Sequence, residues 1–272
     1  MNSIQPVRIH HVEGRRSFRV IWLCEEAGIP YELIYKRGDI FASLIAIRKA
    51  FPDCPMAPVA EIGGSFIVET GAILDVLANR YAKQLIPAIE SEDYALHAQW
   101  THFAESTFGA RTQMDMFIAM AKGARIADMP KGYISGVDRL DARKLIGTDQ
   151  MLRFIETHLS RHPYFGGSSF STADIMMQWL LRVSRMTAMA KINDYPSLLS
   201  WHERVEARPA YGRAVSAAIP DGMSEFMIPK SEKIPFPPLM PGLTGVMARI
   251  ATSAYFSMVI HAAMWRRWFS RG

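Results

Sequence analysis

Apolar side chains in this chain keep two different rhythms, and the switch between them is abrupt. Up to about residue 81, strand-like alternation and helix-like spacing take turns; from about Glu92 onward only helical spacing is found. Residues 7–12 form a short β-rich run, and Gly14 then opens a segment with Val20, Ile21, Leu23, Cys24 and Ala27 on a helical repeat that ends at Gly28. Residues 31–35 alternate like a second strand, residues 41–50 are helical, and Phe51-Pro52-Asp53-Cys54-Pro55 breaks the pattern. Residues 58–62 and 66–68 flank Gly63-Gly64-Ser65, a hairpin signal, before a helical run over 70–81. The order is βαβ then ββα, which predicts an α/β unit. Beyond it the spacing predicts helices over 94–122, 137–158, 172–189, 197–207 and 210–217.

These patterns divide the chain into an α/β domain over 1–82, a linker over 83–91 that contains Pro87, and an all-helical domain over 92–218. The remaining residues, 219–272, begin with a stretch holding six prolines between 220 and 241 and end in an apolar helix over 243–269. The balance of 49% apolar and 21% charged residues in 272 fits a soluble globular chain and excludes disordered and collagen-like classes. A formal charge of +5 is spread along the chain, with its densest cluster at Arg266, Arg267 and Arg271, too diffuse for a nucleic-acid surface. Cys24 and Cys54 make no disulfide framework and no CxxC metal or redox pair. A reducing cytoplasm is the expected compartment, since residues 1–6 carry no signal-peptide pattern.

The run Arg16-Ser17-Phe18-Arg19-Val20-Ile21-Trp22-Leu23-Cys24-Glu25-Glu26-Ala27-Gly28-Ile29-Pro30-Tyr31-Glu32 resembles the first helix of bacterial glutathione transferases, whose pattern is close to SRSxRVxWxLEExGxPYE. Ala57-Pro58-Val59 followed by Glu69-Thr70 is similar to that family's cis-proline and acidic-hydroxyl pair. Residues 165–175, Phe165-Gly166-Gly167-Ser168-Ser169-Phe170-Ser171-Thr172-Ala173-Asp174-Ile175, resemble the signature of its helical domain. The likeness spans roughly residues 7 to 217. It implies a thioredoxin-like glutathione-binding domain followed by a helical bundle, the glutathione-transferase fold, in a serine-type branch. Independently of family, Ser171 and Asp174 have the spacing of a capping box, with Phe170 and Ile175 as its staple.

Glutathione brings two carboxylates, an ammonium and a thiol. The resemblance implies that Thr70, at a helix N-terminus, holds the γ-glutamyl carboxylate while Glu69 takes the ammonium. It implies further that Ala57, before a cis Pro58, offers its backbone to the tripeptide. Pro55-Met56 stands where the family usually has Gly-Lys, so the glycine carboxylate needs another cation, Arg48 or Lys49. For the thiol, the first serine of the family motif falls at Arg15 and only Ser17 matches a serine. A thiol of pKa near 8.5 becomes a thiolate at neutral pH through a hydrogen bond, a positive charge or a helix N-terminus. Three readings stay open: Ser17 as activator, Arg15 or Arg16 with backbone N–H groups, or no activation. His10 and His11 end the first strand, where one of them points into the domain. Cysteine-using relatives place their nucleophile where Arg15, Arg16 and Ser17 stand, which disfavours Cys54; Cys24 is a small core residue.

On the acceptor side, Tyr94, Phe103, Phe108, Arg111 and Met114 come from the first helix of the helical domain. The expected reaction is attack of the glutathione thiolate on a hydrophobic electrophilic small molecule, giving conjugation or leaving-group displacement; ether cleavage is a further use of the same thiolate. The alternative is a non-catalytic binding or scaffold subunit. Glutathione is the co-substrate and no metal is expected. The family implies a homodimer, with a heterodimer as the other assembly. Residues 250–265 are uncharged but number 16, short of the ~20 a membrane-crossing helix needs, so Trp265-Arg266-Arg267-Trp268 suits membrane-surface contact or packing on a partner.

Overall fold

A computed structural model describes residues 5–113, 147–186 and 192–220. Its N-terminal part runs β1 (Val7–His10), α1 (Ser17–Ala27), β2 (Tyr31–Ile34), α2 (Ile40–Ala50), β3 (Val59–Ile62), β4 (Ser65–Val68) and α3 (Thr70–Tyr81). The sheet order is β2-β1-β3-β4, with β1 and β2 parallel and β3 and β4 antiparallel to their neighbours. This is the α/β unit that the βαβ-ββα pattern predicts, in the thioredoxin-like arrangement that the resemblance implies. The β3–β4 turn places Gly63 at φ 58° and Gly64 at φ 82°, both left-handed, which two successive glycines allow at little cost.

Helix α1 is central. Its residues from Ser17 to Cys24 are all buried, so it is covered on every side. It stops where Gly28 adopts φ 64°, ψ 28° and returns its N–H to the Cys24 carbonyl, a left-handed cap. One large apolar core joins the α1 face of the sheet to the helices, and a smaller one, Val12, Ile40, Ile47 and Val59, lies under α2.

The helical part comprises α4 (Glu92–His102), continued by a π-helical stretch at Phe103–Gly109, then α5 (Thr148–Leu159), α6 (Thr172–Met186), α7 (Pro196–Glu206) and α8 (Pro209–Ala218). An unbroken helix is the sequence expectation for 94–113; instead the turn widens over 103–109 and brings Gly109 so near the Ala104 carbonyl that a Cβ would lie 2.7 Å from that oxygen, an approach glycine permits. The capping box forms as the spacing predicts: Ala173 N–H donates to Ser171 Oγ, and the Asp174 carboxylate accepts from Ser171 N–H. Asp174 is fully buried and also accepts from Phe165 N–H at 2.9 Å and Trp201 Nε1–H at 2.8 Å, tying the preceding loop and α7 to α6.

The last described helix closes on the first. Glu26 takes two bonds of 2.7 Å from Arg208, Glu25 one of 2.7 Å from Arg213, and Tyr211 meets Trp22 edge-on at 5.0 Å. Of the described residues, 5–112, 147–186 and 192–220 fall in one compact unit. The expected helix ends near 122, 137 and 189, Met114, the proline-rich stretch and the apolar helix over 243–269 lie outside the described residues.

Candidate functional site

Strand register brings the separate sequence candidates to one edge of the sheet. His10, the last residue of β1, lies opposite Val59, the first of β3, and Val59 lies opposite Val68, the last of β4. Neighbouring strands sit about 4.8 Å apart. The turn after β1 that opens α1, the Ala57–Pro58 bond before β3, and the Glu69–Thr70 step after β4 therefore emerge side by side. The Ala57–Pro58 bond is cis.

At the third of these points Glu69 is exposed and takes φ 70°, ψ 118°, the one left-handed non-glycine among the described residues. A side chain with a Cβ is rarely held there, and such strain concentrates at binding sites. Thr70 is buried at 3% exposure. The α3 ladder begins with Ile73 N–H donating to the Glu69 carbonyl, so the N–H groups of Thr70, Gly71 and Ala72 precede it and face the strand ends. Free N–H groups at a helix N-terminus suit an anion, and here an exposed carboxylate stands beside them.

At the first point the turn is tight. Gly14 has φ 66°, Arg15 N–H donates to the Val12 carbonyl, and α1 starts with no side-chain cap. Ser17 is fully buried. Its hydroxyl lies 2.7 Å from His11 Nδ1, while His11 Nε2 lies 2.8 Å from the Ala218 carbonyl. A carbonyl can only accept, so Nε2 carries the ring proton, Nδ1 is the acceptor, and the Ser17 proton is committed to it. Val12 N–H donates to Ser17 Oγ at 3.3 Å. Burial pushes the His11 pKa down to about 4, against the Ala218 bond, which keeps the ring neutral. Ser17 thus fastens β1 to α1, and through His11 to the end of α8; its position in the motif gave no sign of this inward rotation. Arg15 is half-buried, with Nη1 3.4 Å from the Gly14 carbonyl, and burial lowers its pKa.

Of the remaining candidates, Arg48 and Lys49 are exposed in the last turn of α2. Tyr94 is half-buried and stacks on His97 at 6.3 Å. Phe108 is fully enclosed, and Phe103 packs against Trp100, Phe108 and Phe154, so both rings serve the core. Arg111 is buried at 9% exposure. Arg16 turns toward Glu105, with Nε 3.6 Å from Oε2. His10 Nε2–H donates to the Glu61 carboxylate at 2.7 Å, and Cys54 is half-buried in the loop before Pro58. Arg19 and Glu105, which sequence reasoning passed over, form a half-buried ion pair 86 residues apart in sequence, with only the arginine fully enclosed. Among the described residues no group of three His, Cys, Asp or Glu side chains comes together as a metal site, and no helix is long and apolar enough to cross a membrane.

Comparison with known proteins gives the following. Residues 125–209 match the model of the family described as the glutathione S-transferase C-terminal domain. Glutathione S-transferase 3 of Schizosaccharomyces pombe is 28% identical over 211 residues, which cover 74% of this chain and 84% of the yeast protein. Among solved structures, a glutathione S-transferase from Actinobacillus pleuropneumoniae superposes with a TM-score of 0.59 at 25% identity, covering 78% of this chain and 92% of that one. A theta-class glutathione S-transferase from Xanthomonas axonopodis pv. citri, solved with glutathione bound, gives 0.56 at 25% identity, covering 79% and 100%.

Proposed function

With the glutathione-transferase fold as premise, and the superfamily supported by both the family match and the relatives, we propose that the chain binds glutathione along the His10–Val59–Val68 edge and presents its sulfur as a thiolate to a hydrophobic electrophile. The observation that carries this reading is the register that draws the α1 opening, the cis Ala57–Pro58 bond and the strained Glu69 to one line.

Each group of glutathione then has a counterpart. The α3 N-terminus at Thr70 takes the γ-glutamyl carboxylate, and the exposed Glu69 carboxylate takes the ammonium. Ala57 pairs its backbone with the tripeptide, and Arg48 serves the glycine carboxylate. The sulfur meets the uncapped N-terminus of α1 and the Arg15 guanidinium, both of which favour negative charge. Ser17 acts indirectly, by holding that turn in place. The thiolate attacks an electrophilic carbon and expels a leaving group or adds to it; ether cleavage is the same step with an aryloxide leaving. Tyr94 and Arg111 border the acceptor. The two-domain division at 83–91, a homodimer or a heterodimer, a cytoplasmic setting, detoxification as the role and surface attachment through residues 219–272 belong to this proposal.

A second reading has its own observation. Arg15 stands where the motif has serine, and the Ser17 proton is spent on His11, which suits a glutathione-binding subunit without catalysis. Calorimetric titration with glutathione, combined with thiolate absorbance from pH 5 to 9, separates the two. Binding with a thiol pKa clearly below about 8.5 is expected of the enzyme. Binding with an unshifted thiol selects the scaffold, and no binding at millimolar glutathione overturns both.

A further inference from the structure

One turn into α1, two guanidinium groups converge on one carboxylate. Arg19 is fully buried and donates Nη1–H to Glu105 Oε1; Arg16, with a third of its side chain exposed, holds Nε 3.6 Å from Oε2, ion-pair range but longer than a hydrogen bond. Glu105 reaches them from the π-helical stretch, a geometry that recurs at functional sites. Both guanidinium groups also lie over the Trp179 ring of α6, at 5.1 Å for Arg19 and 5.9 Å for Arg16.

The cluster is incomplete as it stands. Among its described members two cations face one anion, and Nε and Nη2 of Arg19 and Nε of Arg16 are buried without a hydrogen-bond acceptor. Buried charged donors without acceptors are costly, and native folds rarely keep them without a use. Burial pushes the Arg19 pKa down to about 10; Glu105 opposes that, and Arg16 adds to it by repulsion. Arg16 directly follows Arg15 in the turn that opens α1, so the cluster adjoins the place given above to the sulfur.

We propose that Arg16, backed by Arg19 and floored by Trp179, binds a carboxylate carried by an aromatic acceptor. This deepens the thiolate reading and rests on it for the word acceptor. A carboxylate has the planar pair of oxygens that a guanidinium fork matches, and it neutralises the excess positive charge. The indole face suits the ring that bears it. Glu105 then sets the strength of the site, because it competes with the ligand for the same two arginines.

The test uses the full chain. Dinitrobenzoate and dinitrobenzamide, which differ in charge but hardly in shape, are titrated by calorimetry. The benzoate is expected to bind about tenfold more tightly, the worth of one charge-assisted contact. Arg16→Gln should equalise the two, and Glu105→Gln should widen the gap severalfold. Equal affinities in the unaltered protein, binding of neither, or a gap that survives Arg16→Gln overturns the proposal. A chlorodinitrobenzoate and its amide, with glutathione, then test the underlying reading: the C–S bond forms, chloride leaves with the C–Cl electron pair, and the thiol proton passes to buffer. Failure of both to react while the benzoate still binds sinks the thiolate and keeps the anion site. Reaction of both at equal efficiency does the reverse.

Discussion

Ser17→Ala separates a structural hydroxyl from a catalytic one. In the native turn the Ser17 proton satisfies His11 Nδ1 at 2.7 Å, and Oγ receives Val12 N–H at 3.3 Å. Alanine leaves a fully buried ring nitrogen without a donor, which costs about 1–3 kcal/mol, and a long backbone bond unmade, which adds the lesser share. A loss of about 2 kcal/mol is therefore expected, enough to move a urea midpoint by about 1 M at an m-value near 2 kcal/mol/M. The slope itself should not change. The thiol pKa of bound glutathione, read from thiolate absorbance on the same protein, should stay where it is, because the hydroxyl has no proton to give the sulfur. Arg15→Met, by contrast, should raise it by about one unit, or roughly 1.4 kcal/mol of lost thiolate stabilisation. Unchanged stability together with a raised thiol pKa in Ser17→Ala would refute the argument, since it would mean that the hydroxyl points at the sulfur.

Asp174→Ala strands Phe165 N–H, Ser171 N–H and Trp201 Nε1–H in the core and should cost roughly 3–5 kcal/mol in urea unfolding; a loss under about 1 kcal/mol would mean that the box is dispensable. Stability should also fall with acid. Burial, in each case the largest cause, lowers His11, His97 and His158 to about 4 from 6.5, so their contribution is complete above about pH 6.5 and is lost as pH falls toward 4. Burial raises Asp174 to about 6 from 3.8, and its contribution runs the other way, present at low pH and lost as pH rises through 6. The three histidines outweigh the one aspartate, so the unfolded chain takes up protons near pH 5 and stability falls as the solution is acidified below about pH 6.5. Urea midpoints that stay level between pH 6.5 and 4 would contradict this.

What the chain reveals by itself follows from how local the cause is. The β3–β4 hairpin, the α1 stop at Gly28 and the capping box at Ser171 and Asp174 rest on residues within a few positions of one another, and each is legible. Fold class follows from the same local rhythms. The Glu69 strain is not, because glutamate gives no hint of a left-handed backbone; the sheet edge and the following helix impose it. Ser17 was equally opaque. Its rotation depends on His11 and on Ala218, at the far end of the described chain. The Arg19–Glu105 pair is hidden for the same reason, and the π-helical turn that delivers Glu105 betrays itself only through Gly109, an ordinary glycine until its approach to Ala104 is seen. Methionines and aromatics at helical spacing marked a face without telling pocket from core, and Phe108 went to the core.

The embrace of α1 by α8 has a consequence for synthesis. Trp22 is sealed by Phe170 and Tyr211, and Glu25 and Glu26 find their arginines only at 213 and 208. A ribosome adding about 5–20 residues per second needs roughly ten to forty seconds to pass from Trp22 to Tyr211. For that interval the nascent N-terminal half lacks the rings that cover its indole and the two arginines that neutralise Glu25 and Glu26, which then have only Tyr31 and Trp22 as donors. A chain halted before Phe170 keeps that face open, and becomes a client for whatever binds exposed aromatics at the tunnel exit.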